Sequence, residues 1–231
     1  MKSKEKNYEK LEKSIYPFVQ KWLEKERTCF KTAQNIGLKH SRADVVGVKD
    51  IGGDLTGDIE ITVVEVKKGN EPFATSAGQA FGYTIYANKV YLADKREEEF
   101  DLDEIHIASY LGIGLIQISS KNKCREILSS RVYTPIKKFN MLMLERMGLV
   151  KCQFCESFFE SGDIDNKYSK VSRENIDKAL ESEKGTMFWN REVAERKNKK
   201  GIRVTKDGTT FERRFVCPDC VSFIFSQFSK A

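Results

Sequence analysis

The sequence predicts an α/β fold in which helices flank a mixed central sheet, followed by a small C-terminal module. In the N-terminal half, runs of β-branched and apolar residues alternate with segments of helical periodicity, which is typical of an α/β sandwich. Two of these runs are separated only by a glycine-rich turn, which predicts an antiparallel pair. Two CxxC motifs follow near the C-terminus. We expect a first domain over residues 1–134, a connecting helix over 135–149 and the module over 150–231.

The first predicted element is an amphipathic helix over residues 7–25. Apolar residues recur there at alternating steps of four and three, the spacing that places side chains on one face of a helix. Because proline lacks a backbone N–H, we expect Pro17 either to kink this helix or to start its main part. The apolar stripe comprises Leu11, Ile15, Phe18 and Trp22, widened by Val19 and Leu23.

A β-hairpin is predicted next, with strands over residues 42–48 and 59–67. The second strand is apolar and β-branched enough to be buried on both faces. The residues between the strands contain three glycines and three aspartates, which are typical of turns. An antiparallel register that pairs Asp44 with Glu65 centres the turn between Asp54 and Leu55, inside this loop.

Helices and strands are predicted to alternate after the hairpin. The first of these helices has Thr75 or Ser76 as its expected N-cap, because their hydroxyls can accept a hydrogen bond from a free backbone N–H. The predicted elements are a helix over 75–86, a strand over 89–93, a helix over 103–111 and a strand over 114–118.

Three ionisable residues, Asp44, Glu65 and Lys67, lie on predicted strands where a chain usually avoids charge. A buried unpaired charge costs several kcal/mol or more, so such groups pair, bind a metal or take part in chemistry. Facing residues of a hairpin have Cβ atoms about 4.5–5.5 Å apart, close enough for two carboxylates to share a divalent cation. Alternation along the strand places Glu65 and Lys67 on one face. Three charges that merely neutralise one another would produce the same pattern.

Together with a later pentad, these residues resemble a known signature. Asp44, the triplet Glu65–Lys67 and the pentad Gln79–Tyr83 are similar to the motifs of PD-(D/E)XK nucleases, which include restriction-endonuclease-like and Holliday-junction-resolvase-like enzymes. The pentad resembles the Gln-xxx-Tyr element of the RecB-like branch. The resemblance covers residues 8–120 and departs from the signature at Ala43, which stands where the proline would be.

The resemblance implies a restriction-endonuclease-like core and a catalytic Mg²⁺ or Mn²⁺ ion. The implied metal ligands are the carboxylates of Asp44 and Glu65 and the backbone carbonyl of Val66, and the implied catalytic residues include Lys67 and Gln79. For Gln79 and the tyrosine that follows it, an ordinary helix face beside the sheet is an equally good interpretation.

Phosphodiester hydrolysis needs a nucleophilic water, charge stabilisation and help for the leaving group, and a divalent ion supplies much of all three. Mg²⁺ is typically held by one or two carboxylates with several waters, so no histidine is required. Lys67 could orient or deprotonate the attacking water, or balance phosphate charge. Glu12 resembles an accessory acid of some family members, although a solvated acidic residue explains it more simply.

The two CxxC motifs predict a structural zinc site, since each can present two thiolates to one tetrahedral ion. A pair of disulfides is the chief alternative. The sequence shows no signal peptide and no transmembrane run, so we expect a cytoplasmic or nucleoid-associated protein in a reducing compartment, where thiols favour metal. Cys29 and Cys124 are expected to be free structural cysteines. The expected zinc ligands are Cys152, Cys155, Cys217 and Cys220.

Between the two motifs lies a long insert with a predicted helix over 173–183, a basic run over 191–200 and strands over 203–206 and 211–216. A zinc-ribbon-like or treble-clef-like module is expected, and ribbons of this type bind either nucleic acid or protein. Clustered cations favour phosphate contacts. The expected nucleic-acid contacts are Lys68, Arg196, Lys197, Lys199, Lys200, Arg213 and Arg214.

The composition is that of a moderately basic globular protein: 40 lysines and arginines against 34 acids give a net charge of +6. A positive balance favours a nucleic-acid partner. The leading hypothesis is therefore a metal-dependent DNA endonuclease of restriction, defence or repair, with RNA not excluded. A homodimer is reasonable, because two cuts in a duplex usually need two active sites. The alternative is a non-catalytic nucleic-acid-binding or adaptor protein on an inactive nuclease-like scaffold.

Overall fold

The computed structural model describes most of the N-terminal part of the chain and selected residues of the C-terminal part. Two compact units are present: the first comprises residues 1–51 and 58–147, and the second comprises residues 52–57 and 148–231. The described residues are 12–39, 41–52, 58–69, 71–152, 155–160, 217, 219–220 and 223, together with the backbone of 204–205 and 213–214.

A six-stranded mixed sheet forms the first unit, and its strands follow one another in chain order. The middle pairs, β3–β4 and β4–β5, are parallel, whereas β1–β2, β2–β3 and β5–β6 are antiparallel. The predicted α/β class with a mixed sheet is confirmed at this level. The strands are β1 (Lys31–Leu38), β2 (Ser41–Asp50), β3 (Ile59–Lys67), β4 (Lys89–Lys95), β5 (Gly114–Ile118) and β6 (Cys124–Leu128).

Helices flank this sheet. Helix α2 begins right after Pro72, whose backbone is extended, so the predicted caps Thr75 and Ser76 lie inside the helix instead and that prediction was wrong. Helix α3 is capped by Asp101, which accepts from the N–H of Glu104 while the Glu104 carboxylate accepts in return. The helices are α1 (Tyr16–Lys25), α2 (Phe73–Gly82) with a 3₁₀ turn (Tyr83–Ile85), α3 (Leu102–Leu111) and α4 (Lys137–Arg146).

The core under α1 contains four of the six residues of the predicted apolar stripe, and Leu11 lies outside the described residues. Pro17 lies in the first turn of α1. Of the two predicted outcomes, a kink or the start of the main part of the helix, the second is therefore observed. Phe18 was predicted wrongly, because its side chain is 39% exposed, whereas Tyr16 is only 5% exposed and takes part in the core. The sheet residues of this core include Val45, Val64, Val66, Tyr91, Ala93, Ile116 and Ile118, and Cys29 and Cys124 pack with them as free cysteines.

The predicted register of the β2–β3 hairpin is confirmed, since Val45 pairs with Val64 and Val46 with Val63. This ladder runs from Asp50–Ile59 and ends at Val45–Val64. The residues that come next in the same register are Asp44 and Glu65. The fold therefore brings the two predicted carboxylates to one end of one strand pair.

The second unit contains short antiparallel strand pairs. Strands β7 (Leu149–Lys151) and β8 (Phe158–Glu160) flank the first CxxC motif. Strands β9 (Val204–Thr205) and β10 (Arg213–Arg214) pair within the two predicted strand segments. The predicted helix over 173–183 and the basic run over 191–200 lie outside the described residues. None of the helices that the structure describes is long and apolar enough to cross a membrane.

Candidate active site and cysteine cluster

Glu65 and Lys67 form an ion pair at the carboxyl end of β3. The neighbouring Val64 and Val66 belong to the core under α1, so alternation places Glu65 and Lys67 on the opposite face of the sheet. The Lys67 Nζ atom lies 3.0 Å from Glu65 Oε1, and the two side chains are only 12% and 3% exposed. The predicted convergence of these two charges is therefore present.

Tyr83 holds the second oxygen of Glu65. Its hydroxyl lies 2.6 Å from Glu65 Oε2 and 2.9 Å from the backbone carbonyl oxygen of Arg42. Tyr83 starts the 3₁₀ turn after α2 and is 2% exposed. The tyrosine of the Gln-xxx-Tyr pentad thus joins the end of α2 to β2 and β3.

Asp44 lies where the sheet is locally irregular. In the β1–β2 ladder, Gln34 pairs with Val45 and Ile36 with Ala43, but Asn35 and Asp44, which face each other between these pairs, are not paired. Asn35 has a φ angle of 54°. Because the β2–β3 ladder ends one residue earlier, neither ladder of the described sheet includes Asp44. Its carboxylate accepts hydrogen bonds from the Val66 N–H, at 2.8 Å, and from the Tyr16 hydroxyl.

The electrostatics of the two carboxylates are unfavourable without a cation. Burial, followed by repulsion from Asp44, raises the pKa of Glu65 to about 7 although Tyr83 and Lys67 oppose the shift. Burial also raises the pKa of Asp44 against the hydrogen bonds from Tyr16 and Val66. Each carboxylate oxygen has a hydrogen-bond or ion-pair partner and a further lone pair. This donor set fits a hard divalent cation, whose charge would relieve the repulsion.

Lys67 is an ammonium in this arrangement. Burial lowers its pKa, but attraction to Glu65 and to Glu71 outweighs burial, so the pKa of Lys67 is raised. The Glu71 carboxylate lies 3.2 Å from Lys67 Nζ and is 47% exposed. A protonated Lys67 favours the balancing of phosphate charge, or the orienting of a water, over the removal of a proton.

Other residues implied by the motif lie around this centre. Gln79 is exposed on α2. The ion-pair partners of Lys67 are two carboxylates, Glu65 and Glu71. Glu12 precedes α1 and lies near enough to Tyr16 to raise its pKa, although burial and Asp44 contribute more. The catalytic role of Gln79 and the metal-ligand role of the Val66 carbonyl stay predictions.

Tyr16 and Glu71 were missed by the sequence reasoning. Tyr16 had a weak signal, because Tyr16, Val19 and Leu23 share the spacing of the apolar stripe and a tyrosine on such a face needs a hydrogen-bond partner. Glu71 had no comparable signal, since a turn separates it from Lys67 and the sequence does not reveal the path of that turn.

A cluster of four cysteines in the second unit could bind a structural metal such as zinc. Their sulfur atoms all lie within 4.8 Å of one another, and none forms a disulfide. The Sγ atoms of Cys155 and Cys217 are 3.7 Å apart, close to the edge of about 3.8 Å that follows from a tetrahedron with Zn–S bonds of about 2.3 Å. The four cysteines of the cluster are Cys152, Cys155, Cys217 and Cys220.

Backbone groups point at these sulfur atoms. The N–H of Cys217 lies 3.3 Å from Cys152 Sγ, and the N–H of Cys220 lies 3.4 Å from Cys217 Sγ. Burial, and then hydrogen bonding with the neighbouring cysteines, raises the pKa of the Cys220 thiol. Four adjacent thiolates would repel one another strongly, so a bound cation is needed to keep all four deprotonated.

The expected nucleic-acid contacts are only partly described. Lys68 is half-buried beside Lys67. Arg213 and Arg214 form β10. The basic residues Arg196, Lys197, Lys199 and Lys200 lie outside the described residues.

Comparison with known proteins does not identify a family. The sequence matches no family model and no curated protein. Among solved structures, the chain is similar to the SPO1766 protein of unknown function from Silicibacter pomeroyi, with 18% identity and a TM-score of 0.41. The similarity covers 56% of this chain and 77% of that chain, and at this level it supports no functional argument.

Proposed function

We propose that the protein is a divalent-metal-dependent endonuclease that hydrolyses phosphodiester bonds in DNA on a restriction-endonuclease-like core. The observation that carries the proposal is that the β2–β3 register brings Asp44 to the same strand end as the Glu65–Lys67 ion pair. Burial destabilises both ionised carboxylates there, and repulsion from Asp44 adds to the cost at Glu65. Two destabilised carboxylates beside an ammonium group suit a site whose ligand carries both a cation and a phosphate.

Each residue has a defined task in this proposal. Asp44 and Glu65 would hold Mg²⁺ or Mn²⁺. When bound, such an ion supplies a polarised water and neutralises charge on the phosphoryl oxygens. Lys67, held by Glu65 and Glu71, presents its ammonium group to the scissile phosphate.

Two tyrosines position the carboxylates. Tyr16 donates to Asp44 and Tyr83 to Glu65, so one oxygen of each carboxylate is oriented by a buried phenol. Groups that orient a metal ligand typically affect metal affinity or activity 10-fold to 100-fold when removed. We assign the two phenols a positioning role.

The cysteine cluster has a structural role in the proposal. Four cysteine ligands fill a tetrahedral zinc ion and leave no open position for chemistry, so this ion would stabilise the second unit.

The test is cleavage of plasmid DNA in Mg²⁺, Mn²⁺ or EDTA by wild type, Glu65→Gln and Lys67→Ala. Glu60→Gln is a matched control, because Glu60 is also a buried carboxylate of β3 that pairs with a lysine, Lys89, at 3.6 Å. Its odd separation from Glu65 along the strand places it on the other face.

We expect metal-dependent cutting by wild type and Glu60→Gln, and a loss of cutting in Glu65→Gln and Lys67→Ala with DNA binding retained. Wild-type protein that binds DNA but never cuts it with any of these metals would refute the endonuclease and favour the non-catalytic scaffold. Equal cutting by Glu65→Gln and wild type would remove this site from the reaction.

A further inference from the structure

A cavity of about 640 Å³ lies beside the hairpin that joins β1 and β2, and the described residues that line it carry positive charge and include no carboxylate. The charged residues that line it are Lys39, Arg42 and Arg146, and all three are exposed. Its volume falls within the range of about 300–1,000 Å³ that is usual for ligand sites. A concave surface with three cations attracts anions.

Arg42 is oriented by the backbone of the facing strand. Its Nε atom donates to the carbonyl oxygen of Asn35 at 2.9 Å. Asn35 has the left-handed conformation with a φ of 54°, which an asparagine tolerates better than most residues. The bond uses Nε and leaves the two terminal guanidinium nitrogens as donors, the pair of groups that binds a phosphate in a bidentate manner.

A glycine keeps the backbone tightly folded at this position. Gly37 pairs with Arg42 across the ladder, and a Cβ atom on Gly37 would lie 2.1 Å from the Ser41 carbonyl oxygen and 2.6 Å from Arg42 Cα. A larger residue therefore cannot take its place without moving the hairpin. Gly37 is itself one of the residues that line the cavity.

The cavity adjoins the candidate active site through β2. Arg42 and Asp44 are two residues apart on one strand, which corresponds to about 7 Å. The backbone carbonyl of Arg42 contacts the Tyr83 hydroxyl that also contacts Glu65. Among the described residues, no ion pair engages Lys39, Arg42 or Arg146, so their charge is available to a ligand.

We propose that this pocket binds a phosphate group of the nucleic acid, with Arg42 as the principal contact and Lys39 and Arg146 as additional cations. The inference rests on the proposed function, because it treats the pocket as part of the same substrate path. The phosphate belongs either to the continuous backbone beside the cleaved bond or to a 5′ end of the strand. Phosphate binding is the shared chemistry of both cases.

The experiment measures binding of a labelled duplex in EDTA, which prevents cutting, over a series of salt concentrations. Arg42→Ala and Arg146→Ala are compared with Arg125→Ala, a matched loss of one cation on β6 at the other edge of the sheet. We expect each pocket variant to lose about tenfold in affinity. We expect the slope of log affinity against log salt to fall by about 0.9 per lost phosphate contact. Arg125→Ala should match wild type in both measurements.

Kinetics separate binding from chemistry. For cleavage in Mg²⁺, Arg42→Ala should raise KM about tenfold and change kcat less than twofold, and Arg42→Lys should be intermediate because it keeps the charge but loses the bond to Asn35. Closed circular DNA, and linear DNA with a 5′-phosphate or a 5′-hydroxyl, distinguish the two phosphate sources. If Arg42→Ala has a raised KM on circular DNA, the pocket binds an internal phosphate. If its KM is raised only on linear DNA with a 5′-phosphate, the pocket binds the phosphate of a strand end.

The outcomes also separate this inference from the proposed function. If wild type cuts DNA and both Arg42→Ala and Arg146→Ala keep the wild-type KM and salt slope, the phosphate pocket is refuted and the proposed nuclease stands. Binding without cutting, with the expected loss in the two variants, would refute the nuclease and support the pocket. Wild-type protein that binds no nucleic acid would overturn both. If Arg42→Ala fails to fold, Arg146→Ala on the exposed face of α4 decides.

Discussion

Replacing Glu65 by glutamine should stabilise the metal-free protein at neutral and alkaline pH. Burial and repulsion from Asp44 raise the pKa of Glu65 from its ordinary value of 4.5 to about 7. A tenfold change in proton affinity corresponds to about 1.4 kcal/mol, so ionised Glu65 costs the folded state about 3 kcal/mol. Glutamine keeps an oxygen that can accept from Tyr83 and has no charge to bury.

The effect has a definite pH dependence. Below pH 4.5 Glu65 is protonated in both the folded and the unfolded protein, so the variant gains nothing. Between pH 4.5 and about 7 the unfolded state loses its proton first, and wild type becomes progressively less stable than Glu65→Gln. Above pH 7 the full difference of about 3 kcal/mol is present. For a chain of this size it corresponds to an increase in Tm of roughly 6–12 °C.

The assay is thermal unfolding in EDTA at pH 4, 6 and 8, followed by tryptophan fluorescence. The chain has two tryptophans, and a Trp189→Phe background makes Trp22 in the core under α1 the reporter. Mg²⁺ should stabilise wild type by binding the folded state only, and should stabilise Glu65→Gln much less. Three results would refute the predicted cost of ionised Glu65: a Glu65→Gln variant that melts below wild type at pH 8, the same difference in Tm at all three pH values, or an equal rise of both Tm values in Mg²⁺.

Two further predictions concern the positioning phenol and the cysteine cluster. Tyr16→Phe should weaken Mg²⁺ affinity in the cleavage assay by about 10-fold to 100-fold, with kcat restored at saturating metal, because the loss of the hydroxyl frees the Asp44 carboxylate. Tyr91→Phe, which removes a phenol–carboxylate bond to Glu126 in the same unit, should leave the Mg²⁺ dependence unchanged, and an equal shift in both variants would count against a specific role. Protein purified without added zinc should contain about one zinc ion per chain. Cys217→Ser should release it whereas Cys124→Ser should not, and a metal-free, disulfide-bonded second unit would contradict the zinc site.

The hairpin that carries the candidate site could be predicted because its signals are local. Strand β3 is rich in β-branched and apolar residues, and the glycine-rich loop centres the turn, so the register of Val45 with Val64 follows from a short stretch of sequence. Once this register is set, Asp44 and Glu65 come to the same end of the strand pair, and alternation places Lys67 on the same face as Glu65. The two edge strands were not predicted. Strand β1 is half-buried or exposed along its length and β6 is mostly half-buried, so neither shows the apolar run of a central strand.

The groups around the three charges depend on contacts between distant elements. Tyr16 contacts Asp44 from helix α1, and Tyr83 contacts Glu65 from the 3₁₀ turn after α2. Such contacts depend on how the helices pack on the sheet, which periodicity alone does not determine. The same reason explains why the sequence did not single out Arg42, whose side chain bonds to Asn35, a residue with a left-handed backbone in the middle of β1.

That left-handed residue links the two sites physically. Asn35 and Asp44 face each other in the β1–β2 register, and the ladder passes over both of them. The carbonyl of Asn35 accepts from the Arg42 side chain, while the Asp44 carboxylate accepts from Val66 and Tyr16. An unusual backbone conformation costs of order 1–3 kcal/mol, and the ionised Glu65 nearby costs about 3 kcal/mol. The free energy of unfolding of a protein is typically about 5–15 kcal/mol, so these two costs are a large part of the total. Two such costs side by side are expected where the residues serve a ligand. A phosphate on Arg42 and a cation between the carboxylates would use both distortions at once, and this shared use is the physical reason to treat them as one site.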